Sequence, residues 1–307
     1  MSSAAPAPAK TNRLGRWVRI SLASLASLGL LAAALFWLLV MRGLPDAASL
    51  ASYQPPLPTQ VRDASGDPLF SFARERRIYL PFDEIPPLVV HAFISAEDKT
   101  FFTHGGLDYP GIFTAVVTNL KGLFSDQRPV GASTITQQVA KNLLLTNEVT
   151  ITRKLKEAVL ARRIEQTLSK EQILELYLNE IFLGRNAYGV EAAALTWFGK
   201  SASQLTPDEA AFLAALPKAP SAFDPRRNYA RALERRNWVL GQMVDNGYLP
   251  AAQLVSLRAR PITTGSAPAI ANVAPYGRYF FEEVRRQLIE RFGETPADGP
   301  HSVYGGG

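Results

Sequence analysis

Two acidic side chains, Glu97 and Asp98, stand side by side in the run from Ser95 to His104, followed by the glycines Gly105 and Gly106. Neighbours on a helix point about 100° apart, so the two carboxylates cannot share one task. One can face a cleft while the other accepts hydrogen bonds from backbone or from His104. A second carboxylate, Glu157, lies sixty residues further on beside Arg153 and Lys154. Separated carboxylates with cations beside one of them suit group transfer: a base activates an acceptor and the cations hold an anionic leaving group. The plain alternative for the first pair is a solvated helix end.

Between these lies Gly131 to Gln138, with Ser133, Thr134 and Thr136 ahead of Gln137 and Gln138. Small residues leading into a hydroxyl-rich helix start leave backbone N–H groups free, which suits phosphate oxygens. Lys141 follows one turn later. On its own the stretch reads equally as an N-capped helix. In the third group Arg153 and Glu157 are four apart and Lys154 and Glu157 three apart, so on a helix they share a face. A surface ion pair there would contribute under about 1 kcal/mol. With Lys141, the same cations could cradle a diphosphate.

The elements that must position these groups are mostly helices. A helix is predicted beyond Pro87, leading into the carboxylate pair. Asp108 can cap another, whose apolar residues Ile112, Phe113, Val116, Val117, Leu120, Leu123 and Phe124 recur at steps of three and four. That face can pack in a core or dip into a membrane. Ser133 or Thr134 caps a helix to about Leu145, and another spans about Ile151–Leu168. Capping boxes start helices at Ser169 and Thr206, the first stopped by Gly184 and the second by Pro217. Further helices are predicted over Arg226–Asn246 and about Tyr276–Phe292, with irregular chain over 250–275. Val61 to Leu80 reads as two short strands around a turn from Ser65 to Pro68.

The 307 residues include no cysteine, which excludes disulfides, cysteine-based metal sites and cysteine nucleophiles. The formal charge is +6, but residues 1–42 hold Lys10, Arg13, Arg16, Arg19 and Arg42 with no acid, so the remaining chain carries about +1. That distribution argues against nucleic acid as a partner. From Ile20 to Met41 no residue is charged, and a helix of that length is about 33 Å, enough to cross a bilayer core. A cleavable signal would have a shorter apolar region and a small-residue cleavage site. An anchor with its N-terminus in the cytoplasm is the reading adopted. Four prolines at Pro45, Pro55, Pro56 and Pro58 mark a connector beyond it.

In their order and spacing the three groups resemble the family 51 peptidoglycan glycosyltransferase domain of class A penicillin-binding proteins. Glu97, Asp98, Phe101, His104 and Gly106 match its first motif. Gly131, Ser133, Thr134, Thr136, Gln137 and Gln138 match the second, followed by Lys141 and Asn142. Arg153, Lys154 and Glu157 match the third. Further matches run from Ile173 to Asn179 and include Gly184, Tyr188, Gly189, Val190, Phe198, Gly199 and Lys200. The resemblance covers roughly residues 60–250. Ala132 departs from it, standing where a second glycine is common.

The resemblance implies a mainly α, lysozyme-like helical glycosyltransferase domain with an N-terminal transmembrane helix and a short β segment. It divides the chain into a cytoplasmic basic tail (1–19), a transmembrane helix (20–41), connector and short strands (42–80), the glycosyltransferase domain (81–250) and a linker (251–307). That linker would lead toward an absent transpeptidase domain, since no Ser-x-x-Lys or Lys-Thr-Gly motif is present. The chain is therefore expected to be a truncated or partial one, with the catalytic domain on the periplasmic side of the inner membrane.

The resemblance also implies polymerisation of lipid II onto a lipid-linked glycan chain, with Glu97 as general base. Lys141, Arg153 and Lys154 would stabilise the departing diphosphate. Glu157 would orient those cations, assist the leaving group or bind a divalent ion. Asp98 and His104 would shape the site, with Phe101, Ser133, Thr134, Gln137 and Gln138 on the substrate. No cofactor is obligatory, although Mg or Mn could serve. Cell-wall synthesis proteins are further expected partners. The rivals are a glycan hydrolase, which has no use for diphosphate-binding cations, and a non-catalytic scaffold.

Overall fold

The computed structural model describes residues 13–53, 59–66, 68–72, 76–122, 131, 133–146, 148, 150–265, 278–294 and 302–303. It forms two units: Met1–Pro45 with Glu148–Lys156, and Asp46–Asn147 with Glu157–Gly307. In the first, helix α1 (Arg13–Phe36) continues through a π turn, Trp37–Met41. Residues Arg16–Met41 are long and apolar enough to cross a membrane. Leu22, Leu25, Leu28 and Leu31 are exposed along them.

The second unit starts with a hairpin. Strands β1 (Thr59–Arg62) and β2 (Pro68–Phe72) pair antiparallel around Gly66, as the turn signals predict. A two-residue strand β3 (Arg76–Arg77) then pairs in parallel with β4 (Ala187–Tyr188), a contact that periodicity could not reveal at this length. Helices follow: α2 (Pro87–Glu97), α3 (Tyr109–Gly122), α4 (Ile135–Val139) and α5 (Ile151–Thr167). Helix α5 begins in the first unit and ends in the second. Next come α6 (Lys170–Glu180), α7 (Val190–Phe198), α8 (Pro207–Ala215), α9 (Pro225–Asp245), α10 (Ala251–Ala259) and α11 (Arg278–Phe292). The body is thus mainly α with a short β segment, as expected.

Helix α8 is the hub. Every residue from Ala210 to Leu216 is buried, the pattern of a helix surrounded by protein. It packs on α2 and α9, with α7 and α10 at its sides. Trp197 of α7 meets Phe212 edge to face at 5.1 Å, and its indole N–H donates to the Leu183 carbonyl at 2.9 Å. Helix α2 buries Val89, Val90, Ala92, Phe93 and Ile94 against this layer, and Phe93 packs edge-on to Tyr177 of α6. Pro86 and Pro87 open α2, a placement that costs no hydrogen bond because the first N–H groups of a helix lack internal partners.

The capping boxes form as read. Ser169 pairs with Gln172 and Thr206 with Glu209. Of the two caps expected for α4, Thr134 is the one that forms, and it also closes a box with Gln137 that was not expected. Three expectations need correction. Helix α2 ends at Glu97, so Asp98 is an extended residue (φ −160°) outside it. Helix α6 ends at Glu180, before Gly184 can stop it. Gly184 (φ +81°) instead starts a tight turn that carries Arg185 and Asn186 in left-handed conformations. The 250–275 stretch contains α10, whose one buried residue is Leu257, so it shows no apolar stripe. Arg258 holds α10 to α9 through the Asn237 carbonyl at 3.1 Å. Leu123, Phe124, Ala132, residues 266–277 and residues 304–307 lie outside the described residues.

Candidate active site

Glu97, the last residue of α2, stands where two cavities of the second unit meet. One, of about 520 Å³, is lined by Asp98, Thr103, His104, Asp108 and Thr114 among others. The other, of about 800 Å³, takes Gln138, Lys218, Phe223, Arg231 and Arg235. Ala96, Glu97, Gly131, Ser133 and Trp238 border both. A bifurcated cleft with a carboxylate at its fork suits a reaction that brings two chains to one point.

The residue keeps intermediate exposure, but its carboxylate is deeply enclosed. Burial raises its pKa above the usual glutamate value. A hydrogen bond from Gln138 Nε2 to Oε2 at 2.8 Å pulls the other way, as do the charges of Arg235 and Lys218, while Asp98 adds a little to the rise. The net effect is a carboxylate more basic than an exposed glutamate, the direction a general base needs.

Asp98 is a framework residue. Its Oδ2 accepts the Ile135 backbone N–H at 2.9 Å, and its two oxygens face His104 Nε2 at 3.0 and 2.9 Å. The other ring nitrogen, Nδ1, accepts the Gly106 N–H at 3.1 Å, so the imidazole is committed on both sides. Thr134 Oγ1 donates to the Gly106 carbonyl at 2.7 Å and also accepts the Gln137 N–H at 3.1 Å. The Gln137 side chain returns the bond to the Thr134 N–H at 3.0 Å. Phe101 is fully buried, with Lys170 Nζ 4.3 Å above its ring. Lys170 also reaches the His104 carbonyl and Glu165, each at 2.7 Å. These bonds hold the loop behind Glu97 against α4, α5 and α6. Ser133 is half-buried at the cleft border.

The cations fall in two places. Lys141 is exposed on a π turn, Ala140–Leu144, and is not among the residues lining the two cavities above. Arg153 and Lys154 belong to the first unit, where Arg153 Nε donates to the Glu148 carbonyl. Glu157 is buried on α5 together with Leu160, Ala161 and Ile164. Among the described residues no three His, Asp or Glu side chains converge as a metal site would need.

The positive charges felt by Glu97 are ones that motif spacing did not single out: Lys218, after α8, and Arg235, on α9. Arg235 is stacked 3.9 Å over Trp238, and its Nε has no hydrogen-bond partner among the described residues. In sequence they look like a lysine after a helix-stopping proline and an arginine on a polar helix face. The available signal was the Arg235-Arg236 pair, one member turned to the cleft and the other buried against α10.

Residues 65–244 match the transglycosylase family model, described as "Transglycosylase". Penicillin-binding protein 1A of Escherichia coli (strain K12) is 46% identical over 262 residues, covering 85% of this chain and 30% of that protein. The protein of the same name from Rickettsia felis is 45% identical over 81% of this chain and 31% of its own length. That of Aquifex aeolicus is 41% identical over 88% and 36%. Among solved structures, penicillin-binding protein 1A from Haemophilus influenzae aligns with a TM-score of 0.44 and 28% identity, over 80% of this chain and 26% of that one. The chain spans about a third of the length of the curated relatives it matches.

Proposed function

Because the chain belongs to the transglycosylase family, we propose that it is a peptidoglycan glycosyltransferase that polymerises lipid II and releases undecaprenyl diphosphate. Glu97 takes the proton from the 4-hydroxyl of the acceptor's N-acetylglucosamine. The freed oxygen attacks C1 of the N-acetylmuramic acid at the end of the lipid-linked donor. The C1–O bond to the diphosphate breaks with inversion, and the diphosphate leaves as an anion. Cations stabilise that developing charge. Lys141, Arg153 and Lys154 are assigned to it by their motif positions, and Lys218 and Arg235, whose charges act on Glu97, are added to them.

The observation that carries this reading is a buried carboxylate at the fork of a bifurcated cleft, opposite two cations. A hydrolase has no need of those cations, and a scaffold no need of a tuned base. The basic residues Lys10, Arg13, Arg16 and Arg19 before the uncharged run from Ile20 support a cytoplasmic N-terminus and a periplasmic body on the inner membrane. Helix α3 exposes Tyr109, Phe113, Val116 and Leu120, a face suited to dipping into the bilayer that holds the substrate's lipid. Polymer formation from labelled lipid II, and its loss in E97Q, is the test.

A further inference from the structure

We propose that Tyr177 is a positioning residue for Glu97, acting through Gln138. Its hydroxyl fixes the carboxamide so that the amide N–H, rather than the carbonyl oxygen, faces the carboxylate. This rests on the reading of Glu97 as the base. Tyr177 lies on α6, is 1% exposed, and directs its hydroxyl to Gln138 Oε1 at 3.5 Å. Gln138 Nε2 in turn donates to Glu97 Oε2 at 2.8 Å.

A carboxamide can rotate by half a turn and exchange donor for acceptor. With its N–H toward Glu97 it favours the ionised base. With its oxygen there it favours the protonated acid, which cannot accept the substrate's proton. The phenol decides between them because only the first arrangement uses its proton; the second leaves a buried O–H unpaired, which is costly. Burial, with the negative charges of Glu97 and Asp98 nearby, raises the Tyr177 pKa well above its ordinary value, so it remains a donor. The other groups facing Glu97 are Asp98 beside it, Lys218, and Arg235 on α9, with Arg231 and Glu234 on the cavity wall. None of these contacts the carboxamide oxygen in the described hydrogen bonds.

The test reads the titration of Glu97 directly, by carbon NMR of glutamate-labelled protein with E97Q identifying the signal. It therefore needs no turnover, and it stands even if no glycan polymer is ever made. Y177F keeps the ring and removes only the hydroxyl. The expected result is a titration moved up by about half a pH unit or more, with the acid limb of polymerisation moving with it. In Q138M the carboxamide is absent, and adding Y177F should then produce no further shift. An unchanged titration in Y177F overturns the proposal. So does an equal shift with and without Gln138, which would show that the hydroxyl acts by another route.

Discussion

Asp98 accepts the backbone N–H of Ile135 at 2.9 Å, which ties the residue after the base to the first residue of α4. The same carboxylate also faces His104 Nε2. One side chain therefore orders both the loop behind Glu97 and the helix that presents Gln138. Asn at this position offers one oxygen and one NH2 group to two donors. D98N is expected to lose about 2 kcal/mol of stability in denaturant unfolding and to lower turnover, although the base itself is intact.

Gly106 is held at φ +94°, and a Cβ there would come within 2.7 Å of the Ala161 carbonyl oxygen on α5. Both strain and clash are with backbone, which cannot move aside. G106A is predicted to cost about 3 kcal/mol or more, seen as a lowered Tm. Polymerisation should fall with it, because His104 and Thr134 both bond to this residue.

The raised pKa of Glu97 has a consequence for stability that separates from its chemistry. Burial makes the charged form less favourable in the folded chain than in the unfolded one. The penalty is absent at pH values below the ordinary glutamate range, about 4, and grows as pH rises through the raised folded value. E97Q should therefore be more stable than the parent chain at neutral pH, with the difference vanishing under acid conditions. Thermal unfolding measured across pH checks the sign.

Lys218 and Arg235 both favour the ionised form of Glu97 and line the same cavity, and the proposed mechanism gives them the leaving-group charge. K218M and R235M are each predicted to lower kcat by about tenfold to a hundredfold and to move the acid limb of the rate profile upward. A charge-neutral change at Glu234, on the same cavity wall, should not move the limb upward.

What could be read in advance was local. The hairpin at Gly66, the capping boxes at Ser169 and Thr206 and a cap for α4 at Ser133 or Thr134 are each specified within a few residues, and each formed, the last at Thr134. Glu97 stood out because adjacent acids before a histidine and glycines form a compact pattern. Gln138 was singled out too, but its pairing with Glu97 was not, because the two are 41 residues apart and meet only once α2 and α4 are folded together. Arg235 lay hidden for a different reason: one face of a polar helix turned to a cleft looks the same in sequence as one turned to water. Helix α10 escaped because helical propensity without an apolar stripe leaves no periodic signal.

Incubating the purified chain and its E97Q variant with labelled lipid II in detergent micelles tests the assignment of the base most directly. A ladder of glycan polymer from the parent chain, absent from the folded E97Q protein, is the predicted result. Undiminished polymer from E97Q, or shortening of preformed glycan in place of polymer growth, would contradict it.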